Sequence, residues 1–408
     1  MKKIILSVIV SLAGIPFGYT QTWQLHQQRN NLELSDLHFL DSSTGFVFGD
    51  SAIGGAMITG VVLKTTDGGS NWITYTLGNS DYRTTKACVL NANELFSAGR
   101  NGGGNDGLFI KSVDGGATWT NPTTFPERLF NVYFINSSTG WVMGKNGLLS
   151  KTTDGGINWV SQNVSGEDMF CMKFFNNGTT GILGCGGGEL YRTTDGGNSW
   201  NSITSNVPDG LLAVDIKGND AWFCGEAGTI IHSSDYGQTW STQSSALPID
   251  FGSVAFADNT HGWMGGMAGT INSTNDGGSV WQSNPSGSNV DISGLSIPDM
   301  NHGWYCNTDG EIYSFNTATS IHENDMHHPE LMFYPNPVLD VMYLTNMQNE
   351  DINVCIVNEI GQVVSNIDVQ ACHKIQVDIS KLSQGTYQLV YFSNSGKRGA
   401  MPALIIKL

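Results

Sequence analysis

The sequence predicts an all-β protein: a seven-bladed β-propeller closed by its N-terminal strand and followed by a small Ig-like β-sandwich. A pattern of Thr or Ser, then Asp, Gly and Trp occurs six times, with Asp positions 47, 40, 41, 40 and 41 residues apart. A Gly-aromatic segment recurs with a similar period, and after residue 320 the repeat gives way to short alternating apolar segments. A fixed period of about 40 residues with several short strands per repeat is typical of propeller blades.

Each Asp pattern is predicted to form the turn between the third and fourth strands of a blade. The carboxylate accepts backbone N–H bonds, the Gly adopts positive φ, and the Trp buries a large apolar surface. We therefore assign structural roles to six pairs, which are Asp67 and Trp72, Asp114 and Trp119, Asp154 and Trp159, Asp195 and Trp200, Asp235 and Trp240, and Asp276 and Trp281.

The last repeat predicts how the ring closes. Second-strand segments from Gly45-Phe46 to Gly303-Trp304 indicate seven blades, but the seventh has no Asp pattern after its third strand at 310–314. The segment 21–26, which contains Trp23, resembles the strands that follow the Asp patterns elsewhere. We expect it to complete the seventh blade, because an open array would leave a sheet edge exposed.

The two ends of the chain and its charge suggest an exported protein. Residues 1–20 have a basic start and a short apolar run, which predicts a secretory signal peptide. The propeller is predicted at 21–318, a polar linker at 319–330 and the sandwich at 331–408. With a net charge of −17, the chain is not expected to bind nucleic acid. We expect a monomer with no transmembrane segment after signal removal.

No cofactor or metal site is predicted. The seven Cys include no CxxC pair, so their spacing does not suggest zinc. Five of them fall on predicted propeller strands, where buried thiols are expected, and Cys355 and Cys372 in the last domain are candidates for a disulfide in an oxidising compartment. No Ser-His-Asp arrangement or phosphate-binding Gly loop is recognisable, so no catalytic residue is assigned.

The repeated sequence motif Lys-Thr-Thr-Asp-Gly-Gly-x-x-Trp resembles the Asp-box, or BNR, repeat of sialidases, sortilin-type receptors and photosystem II assembly-factor-like propellers. The Gly-Trp second strands are most similar to those of the assembly-factor-like group. This resemblance covers residues from about 21 to 318 and implies the propeller fold. It also implies that each Asp-box stabilises a turn away from the ligand face.

The tail resembles the type A C-terminal sorting domain of the Bacteroidetes type IX secretion system. The resemblance rests on the segments Tyr334-Pro335-Asn336-Pro337, Asn358-Glu359-Ile360-Gly361-Gln362 and Gly385-Thr386-Tyr387, and on the final Ile405-Ile406-Lys407-Leu408. It implies that residues 331–408 engage the type IX secretion machinery. It further implies that the protein is secreted or attached to the outer cell surface.

A ligand site is predicted on the face opposite the Asp patterns. Two second-to-third-strand connections there are long, from Asp50 to Gly60 and from Arg100 to Gly107, whereas the other five are short. Arg83, Arg100 and Arg128 fall on connections of this face around the second blade, and Lys145 lies on the next short connection. Such a cluster in an acidic protein can hold a carboxylate or phosphate; unrelated surface Arg residues are the alternative.

The first strands are predicted to border a central channel. Among equivalent positions in successive blades, His38, Tyr133, Lys173 and Asp215 are the candidates to line it, and Lys173 and Asp215 could form an ion pair between adjacent blades. We interpret this lining as structural and not as a catalytic ring.

These observations favour a non-enzymatic module that binds an extracellular protein or glycan. The alternative is a polysaccharide-active hydrolase or lyase with a sialidase-like propeller. The Arg-Ile-Pro segment of sialidases is absent, and the only Arg before the first Asp pattern is Arg29. The separation of facing carboxylates, on which hydrolysis depends, cannot be judged from sequence.

Overall fold

The computed structural model describes residues 23–51, 59–80, 82–101, 104, 106–120, 122–316, 331–334, 340–346, 351–358, 363–393 and 398–407. The chain divides into two compact units, one ending at Ala318 and the other beginning at Thr319. The predicted signal peptide (1–20) and linker (319–330) lie outside the described residues. No helix among the described residues is long and apolar enough to span a membrane.

The first unit contains seven antiparallel sheets of four strands each, which confirms the predicted number of blades. Blade 1 consists of β2 (Leu32–Phe39), β3 (Gly45–Ser51), β4 (Thr59–Thr65) and β5 (Ile73–Ser80). Blade 2 consists of β6 (Tyr82–Val89), β7 (Leu95–Asn101), β8 (Gly107–Ser112) and β9 (Thr123–Phe125). Blade 3 consists of β10 (Leu129–Phe134), β11 (Gly140–Gly144), β12 (Leu149–Thr152) and β13 (Val160–Ser161). Blade 4 consists of β14 (Met169–Phe174), β15 (Gly181–Cys185), β16 (Leu190–Thr193) and β17 (Asn201–Ile203). Blade 5 consists of β18 (Leu211–Lys217), β19 (Asp220–Gly225), β20 (Thr229–Ser233) and β21 (Ser241–Ser244). Blade 6 consists of β22 (Phe251–Phe256), β23 (Gly262–Gly266), β24 (Ile271–Thr274) and β25 (Gln282–Asn284).

Blade 7 closes the ring in the predicted way. It consists of β26 (Ile292–Asp299), β27 (His302–Asn307), β28 (Glu311–Asn316) and the N-terminal strand β1 (Gln24–Gln28). β1 pairs with β28 with Leu25 opposite Tyr313 and Gln27 opposite Ile312. Trp23, just before β1, is buried against the rings of Tyr305 and Phe315, with centroid distances of 5.0 and 4.6 Å. The N-terminal segment therefore supplies both the missing strand and the missing Trp of this blade.

Hydrophobic cores lie between successive blades and not within a single sheet. One cluster joins Phe46 and Phe48 of blade 1 to Tyr82 and Leu95 of blade 2, and the Asp-box Trp119 packs against it. Seven such clusters are found among the described propeller residues. Because every blade shares cores with two neighbours, each depends on the ring for its stability.

Every first strand contains a β-bulge at the same point. In blade 3, for example, Leu129 faces Gly144 and Asn131 faces Met143, so that Phe130 is the extra residue. The residues at this position in blades 1 to 7 are Ser35, Thr85, Phe130, Phe170, Leu212, Gly252 and Ser293. A bulge bends its strand and redirects a side chain, so the ring presents seven redirected residues where the first strands begin.

The second unit has two sheets, with strand orders β29-β30-β33 and β32-β31-β34-β35. Its strands are β29 (Leu331–Tyr334), β30 (Val341–Asn346), β31 (Ile352–Asn358), β32 (Val363–Val369), β33 (Lys374–Asp378), β34 (Gly385–Ser393) and β35 (Arg398–Lys407). Met342 and Val377 of one sheet share a core with Val354 and Leu389 of the other. The sequence did not predict β29, because its apolar residues do not alternate with polar ones.

Candidate ligand-binding face

The Asp-boxes form closed hydrogen-bonded turns on one face of the ring. In blade 1, the Thr65 hydroxyl donates to Asp67 Oδ1 over 2.9 Å and accepts the Gly69 N–H over 2.8 Å. The backbone N–H of Asn71 donates to Asp67 Oδ1 and its side-chain amide donates to Oδ2, both over 2.8 Å. Both carboxylate oxygens of Asp67 thus accept hydrogen bonds inside the turn.

The same turn recurs in the other five boxes, with Thr118, Asn158, Ser199 and Thr239 in the place of Asn71 in four of them. The side chain and amide of Thr118 lower the pKa of Asp114 to about 2. The sixth box has Val280 at this position, which offers Asp276 its backbone N–H, over 2.9 Å to Oδ1, but no side-chain donor. The ends of the sheets that carry these boxes are here called the Asp-box face, and the opposite ends the top face.

A central cavity of about 340 Å³ is bordered by the first strands of all seven blades. His38, Tyr133 and Lys173 lie on its wall. Asp215 differs from the prediction, since it is buried beside the cavity and not exposed on its surface. It lies there because its carboxylate accepts the Phe256 N–H over 2.7 Å and forms an ion pair with Lys173.

The equivalent first-strand residues connect neighbouring blades. Cys88 Sγ accepts the Phe134 N–H over 3.4 Å, Tyr133 Oη accepts the Phe174 N–H over 3.3 Å, and Ser296 Oγ accepts the Phe39 N–H over 2.9 Å. Together with Asp215, these residues bond to the next blade at four of the seven junctions. At the junction of blades 6 and 7 the equivalent residue is Ala255, whose methyl group cannot accept a hydrogen bond.

Blades 1 and 2 are joined by Asp36, which the sequence analysis did not single out. Its carboxylate accepts the Ala87 N–H over 2.9 Å and pairs with Lys86 at 3.2 Å and with His38 Nε2 at 2.9 Å. Burial alone would raise the pKa of Asp36, but Lys86 and His38 hold it below its ordinary value. Asp36, Lys86 and His38 of the channel are therefore paired with one another.

On the top face, short turns join the second and third strands of blades 3 to 6. These turns are Lys145–Gly147, Gly186–Gly188, Glu226–Gly228 and Met267–Gly269. In three of them an Asp of the next blade accepts the N–H of the central residue: Asp168 from Asn146, Asp250 from Ala227 and Asp291 from Ala268, over 2.7 to 3.0 Å. These contacts fix three of the described top-face turns to the next blade.

The four predicted basic residues come together on the top face of blades 2 and 3 and are here called the basic cluster. Arg83 and Arg100 are directly opposite each other on β6 and β7, so their side chains project from the same side of the sheet. Arg100 also faces Gly107 on β8, and the carbonyl of Glu127 packs closely on Gly107. This contact places Arg128 beside Arg100.

Lys145 belongs to the same cluster. Its backbone N–H donates to the carbonyl of Arg128 over 3.0 Å, and its side chain is exposed. Burial and the nearby Arg100 lower the pKa of Arg128, whereas Asp168 acts in the opposite direction. None of the ion pairs among the described residues includes an arginine, and the buried Nε atoms of Arg83 and Arg128 make no hydrogen bond there.

One acidic group next to this cluster was missed. Asp50, at the end of β3, is buried, accepts the Thr84 N–H over 2.9 Å, and lies opposite Glu33. Burial raises the pKa of Asp50 to about 6; Thr84 and Arg83 oppose this rise, and Glu33 adds to it. The missed signal in the sequence was an Asp directly after the apolar run of β3. The long connection after Asp50 is only partly described, since 52–58 lie outside the described residues.

The comparisons with known proteins match both units. Residues 332–407 match the family described as the secretion system C-terminal sorting domain. Residues 122–206 and 166–249 match the family described as photosynthesis system II assembly factor YCF48. The photosystem II assembly lipoprotein Ycf48 of Synechococcus sp. (strain CC9902) is 36% identical over 56 residues, which are 13% of this chain and 17% of that protein.

Solved structures show the same propeller fold at low sequence identity. YCF48 bound to a D1 peptide is 19% identical, with a TM-score of 0.56 over 72% of this chain and 96% of that one. YCF48 from Cyanidioschyzon merolae is 17% identical, with a TM-score of 0.56 over 73% of this chain and 100% of that one. The GH74 xyloglucanase from Xanthomonas campestris is 15% identical, with a TM-score of 0.55 over 73% of this chain and 54% of the enzyme. The chain thus joins an Asp-box propeller with repeats of the Ycf48 type to a C-terminal sorting domain of the type IX secretion system.

Proposed function

We propose that the propeller is a non-enzymatic binding module that holds an anionic group of an extracellular protein on its top face. The sorting domain implies export by the type IX system, so a partner would be met at the cell surface or beyond it. The observation that carries the proposal is the basic cluster. Arg83 is opposite Arg100, and Arg128 lies beside Arg100, in a protein of net charge −17. None of the three arginines takes part in an ion pair among the described residues. The planar guanidinium group of Arg can bind a carboxylate through two parallel N–H···O hydrogen bonds.

A peptide ligand agrees with two further observations. The turns of blades 3, 5 and 6 are fixed by Asp residues of the next blade, so little order has to be gained on binding. A propeller of the same fold has been solved as YCF48 bound to a D1 peptide. That complex concerns another protein, and it supports only the choice of a peptide over a glycan as the first ligand class to test.

The proposal is tested by charge reversal. Arg100→Glu and Arg128→Glu should each weaken binding of the purified protein to acidic surface proteins or carboxylate-bearing peptides by at least about 10-fold, because an attraction becomes a repulsion. Lys217→Glu changes the net charge equally but lies at the end of β18 on the Asp-box face, so it is the matched control. Binding that is insensitive to both Arg substitutions, or equally sensitive to Lys217→Glu, contradicts the proposal.

A polysaccharide hydrolase is the second candidate, and one observation favours it. Asp50 and Glu33 are directly opposite each other, and the raised pKa of Asp50 suits a general acid. Against this, Asp50 is 9% exposed and bonded to Thr84, so access to a glycosidic oxygen is restricted. Release of reducing ends from a glycan panel, abolished by Asp50→Asn, would establish the enzyme and displace the binding proposal.

A further inference from the structure

The residues at the seven first-strand bulges differ in size between blades, and the fold does not require this difference. In blades 1, 2, 6 and 7 the bulge residue is Ser, Thr or Gly, whereas in blades 3, 4 and 5 it is Phe130, Phe170 and Leu212. All seven bulges have the same register shift, so the backbone accepts small residues at this position. The three large residues, here called the apolar arc, therefore need an explanation other than bulge geometry.

The apolar arc lies outside the cores that hold the blades together. Phe130, Phe170 and Leu212 are each only partly buried, and none belongs to the hydrophobic clusters found among the described residues. The rings of Phe130 and Phe170 meet across the junction of blades 3 and 4, with centroids 5.3 Å apart. Leu212 lies on the wall of the central cavity. Phe130 and Phe170 thus adjoin each other while partly exposed, and such apolar pairs often mark an interaction site.

The arc is held in place by contacts that do not bury its rings. The side-chain amide of Asn131 donates to the carbonyl of Phe170 over 2.9 Å and so fixes the two bulges relative to each other. Gly144 and Gly184, which face the first strands of blades 3 and 4, leave no room for a larger residue. The backbone below the arc is therefore closely packed, although the rings above it are partly exposed.

The arc is continuous with the basic cluster. The guanidinium of Arg128 lies over the ring of Phe130, 5.2 Å from its centroid, and Arg100 is beside Arg128. Moving along the top face from blade 2 to blade 5, a ligand meets positive charge first and apolar surface next. A ligand that is complementary to both halves carries a negative group with an apolar side chain beside it.

We propose that Phe130, Phe170 and Leu212 form an apolar subsite that binds an aromatic or large aliphatic side chain of a peptide whose neighbouring carboxylate is held by Arg100 and Arg128. This inference rests on the proposed function and adds to it the class of side chain that is selected. Burial of one such side chain contributes about 10-fold or more in affinity. The cation–π contact keeps the Arg128 guanidinium next to the subsite, so both groups of the ligand are bound within one short segment.

The experiment uses the purified full chain and a peptide library with free carboxyl ends and randomised last three positions. We expect enrichment of Phe, Tyr, Trp, Leu or Ile at the last two positions. Phe130→Ser and Phe170→Ser introduce the residue that blades 1 and 7 carry at the same bulge, and each should reduce that enrichment at least about 10-fold. Ser293→Ala, in the bulge of blade 7, is the matched control and should leave it unchanged.

Two further measurements keep the outcomes separate. Phe170→Leu retains apolar bulk and should retain most of the preference, and thermal melting of every variant shows that the ring is intact. The same library with amidated ends tests the carboxylate contact. If free-acid peptides bind better than amides but show no apolar preference, the apolar subsite is refuted and the proposed function stands. If no peptide binds, or the preference survives both Ser substitutions, the inference is overturned.

Discussion

At the scale of single residues, polar side chains at equivalent first-strand positions link neighbouring blades. Tyr133, Ser296 and Cys88 each accept the amide of a Phe that ends the first strand of the next blade. The sequence indicated that Tyr133 borders the channel, because equivalent positions recur with the blade period. It could not indicate their partners, since a backbone N–H leaves no signature in the neighbouring repeat.

The buried carboxyl of Asp50 predicts a pH-dependent stability. Its pKa is raised from 3.8 to about 6 by burial, so the protonated form stabilises the fold below about pH 4, and that contribution is lost as the pH rises through 6. Asp50→Asn keeps an acceptor for the Thr84 N–H and removes the buried charge. We expect the variant to be more stable than the parent above pH 6, by up to about 3 kcal/mol.

The measurement is urea unfolding at pH 4.5, 6 and 8. The difference between variant and parent should grow with pH, because only the parent carries the charge. Glu33→Gln is the matched control: Glu33 is exposed and contributes less than burial to the raised pKa of Asp50, so its substitution should change stability much less than Asp50→Asn does. A variant that is less stable than the parent at pH 8 would show that the Asp50 charge is stabilising and that Arg83 outweighs burial.

At the scale of elements, the Asp-box shows how a repeat tolerates variation. Five boxes place an amide or hydroxyl four residues after the Asp, where it donates to Oδ2. The sixth has Val280, which is exposed and leaves that oxygen without this donor. The turn persists because Thr274 and the backbone still bind Oδ1. The pattern in the sequence thus identifies the turn correctly but does not report how completely it is bonded.

Val280→Thr should strengthen the sixth box. The equivalent Thr239 hydroxyl donates to Asp235 Oδ2 over 2.6 Å, and the new hydroxyl can do the same for Asp276. A gain of about 1 kcal/mol is expected, since a hydrogen bond to a charged acceptor at the surface keeps only part of its strength. The reciprocal Thr239→Val should lose a similar amount. Differential scanning calorimetry measures the melting temperatures of both variants. A Val280→Thr protein that melts no higher than the parent would show that the added hydroxyl does not stabilise the turn.

Strand boundaries could be predicted where the period was strict and not where it was interrupted. The short turns of blades 3 to 6 fall where the sequence placed them. In blades 1 and 2, the insertions partly lengthen the hairpins, since β3 and β4 stay paired from Gly45 opposite Thr65 to Ser51 opposite Thr59. The bulges could not be predicted, because an extra residue in a first strand does not alter the spacing of the Asp-boxes. The apolar arc was therefore overlooked.

At the scale of the whole molecule, the pairing of β1 with β28 closes the propeller into a ring of seven similar blades. The sequence predicted this from a missing element in blade 7 and an unassigned strand near Trp23. The functional face also depends on the ring, because the basic cluster and the apolar arc are assembled from blades 2 to 5. Any opening that relaxes the junctions should separate these groups, so closure and binding should be lost together.

A cross-link between β1 and β28 tests closure directly. Gln24 is opposite Ser314, so the double variant Gln24→Cys with Ser314→Cys places two thiols on adjacent antiparallel strands, within the span of a disulfide. Because the bond would close a loop of nearly the whole propeller, it should stabilise the oxidised protein by up to about 5 kcal/mol relative to its reduced form. Each single Cys variant is the control and should melt at the same temperature with and without reductant. If the double variant forms no bond under oxidising conditions, β1 does not occupy the edge of blade 7, and the top-face assignments that follow from a closed ring fail with it.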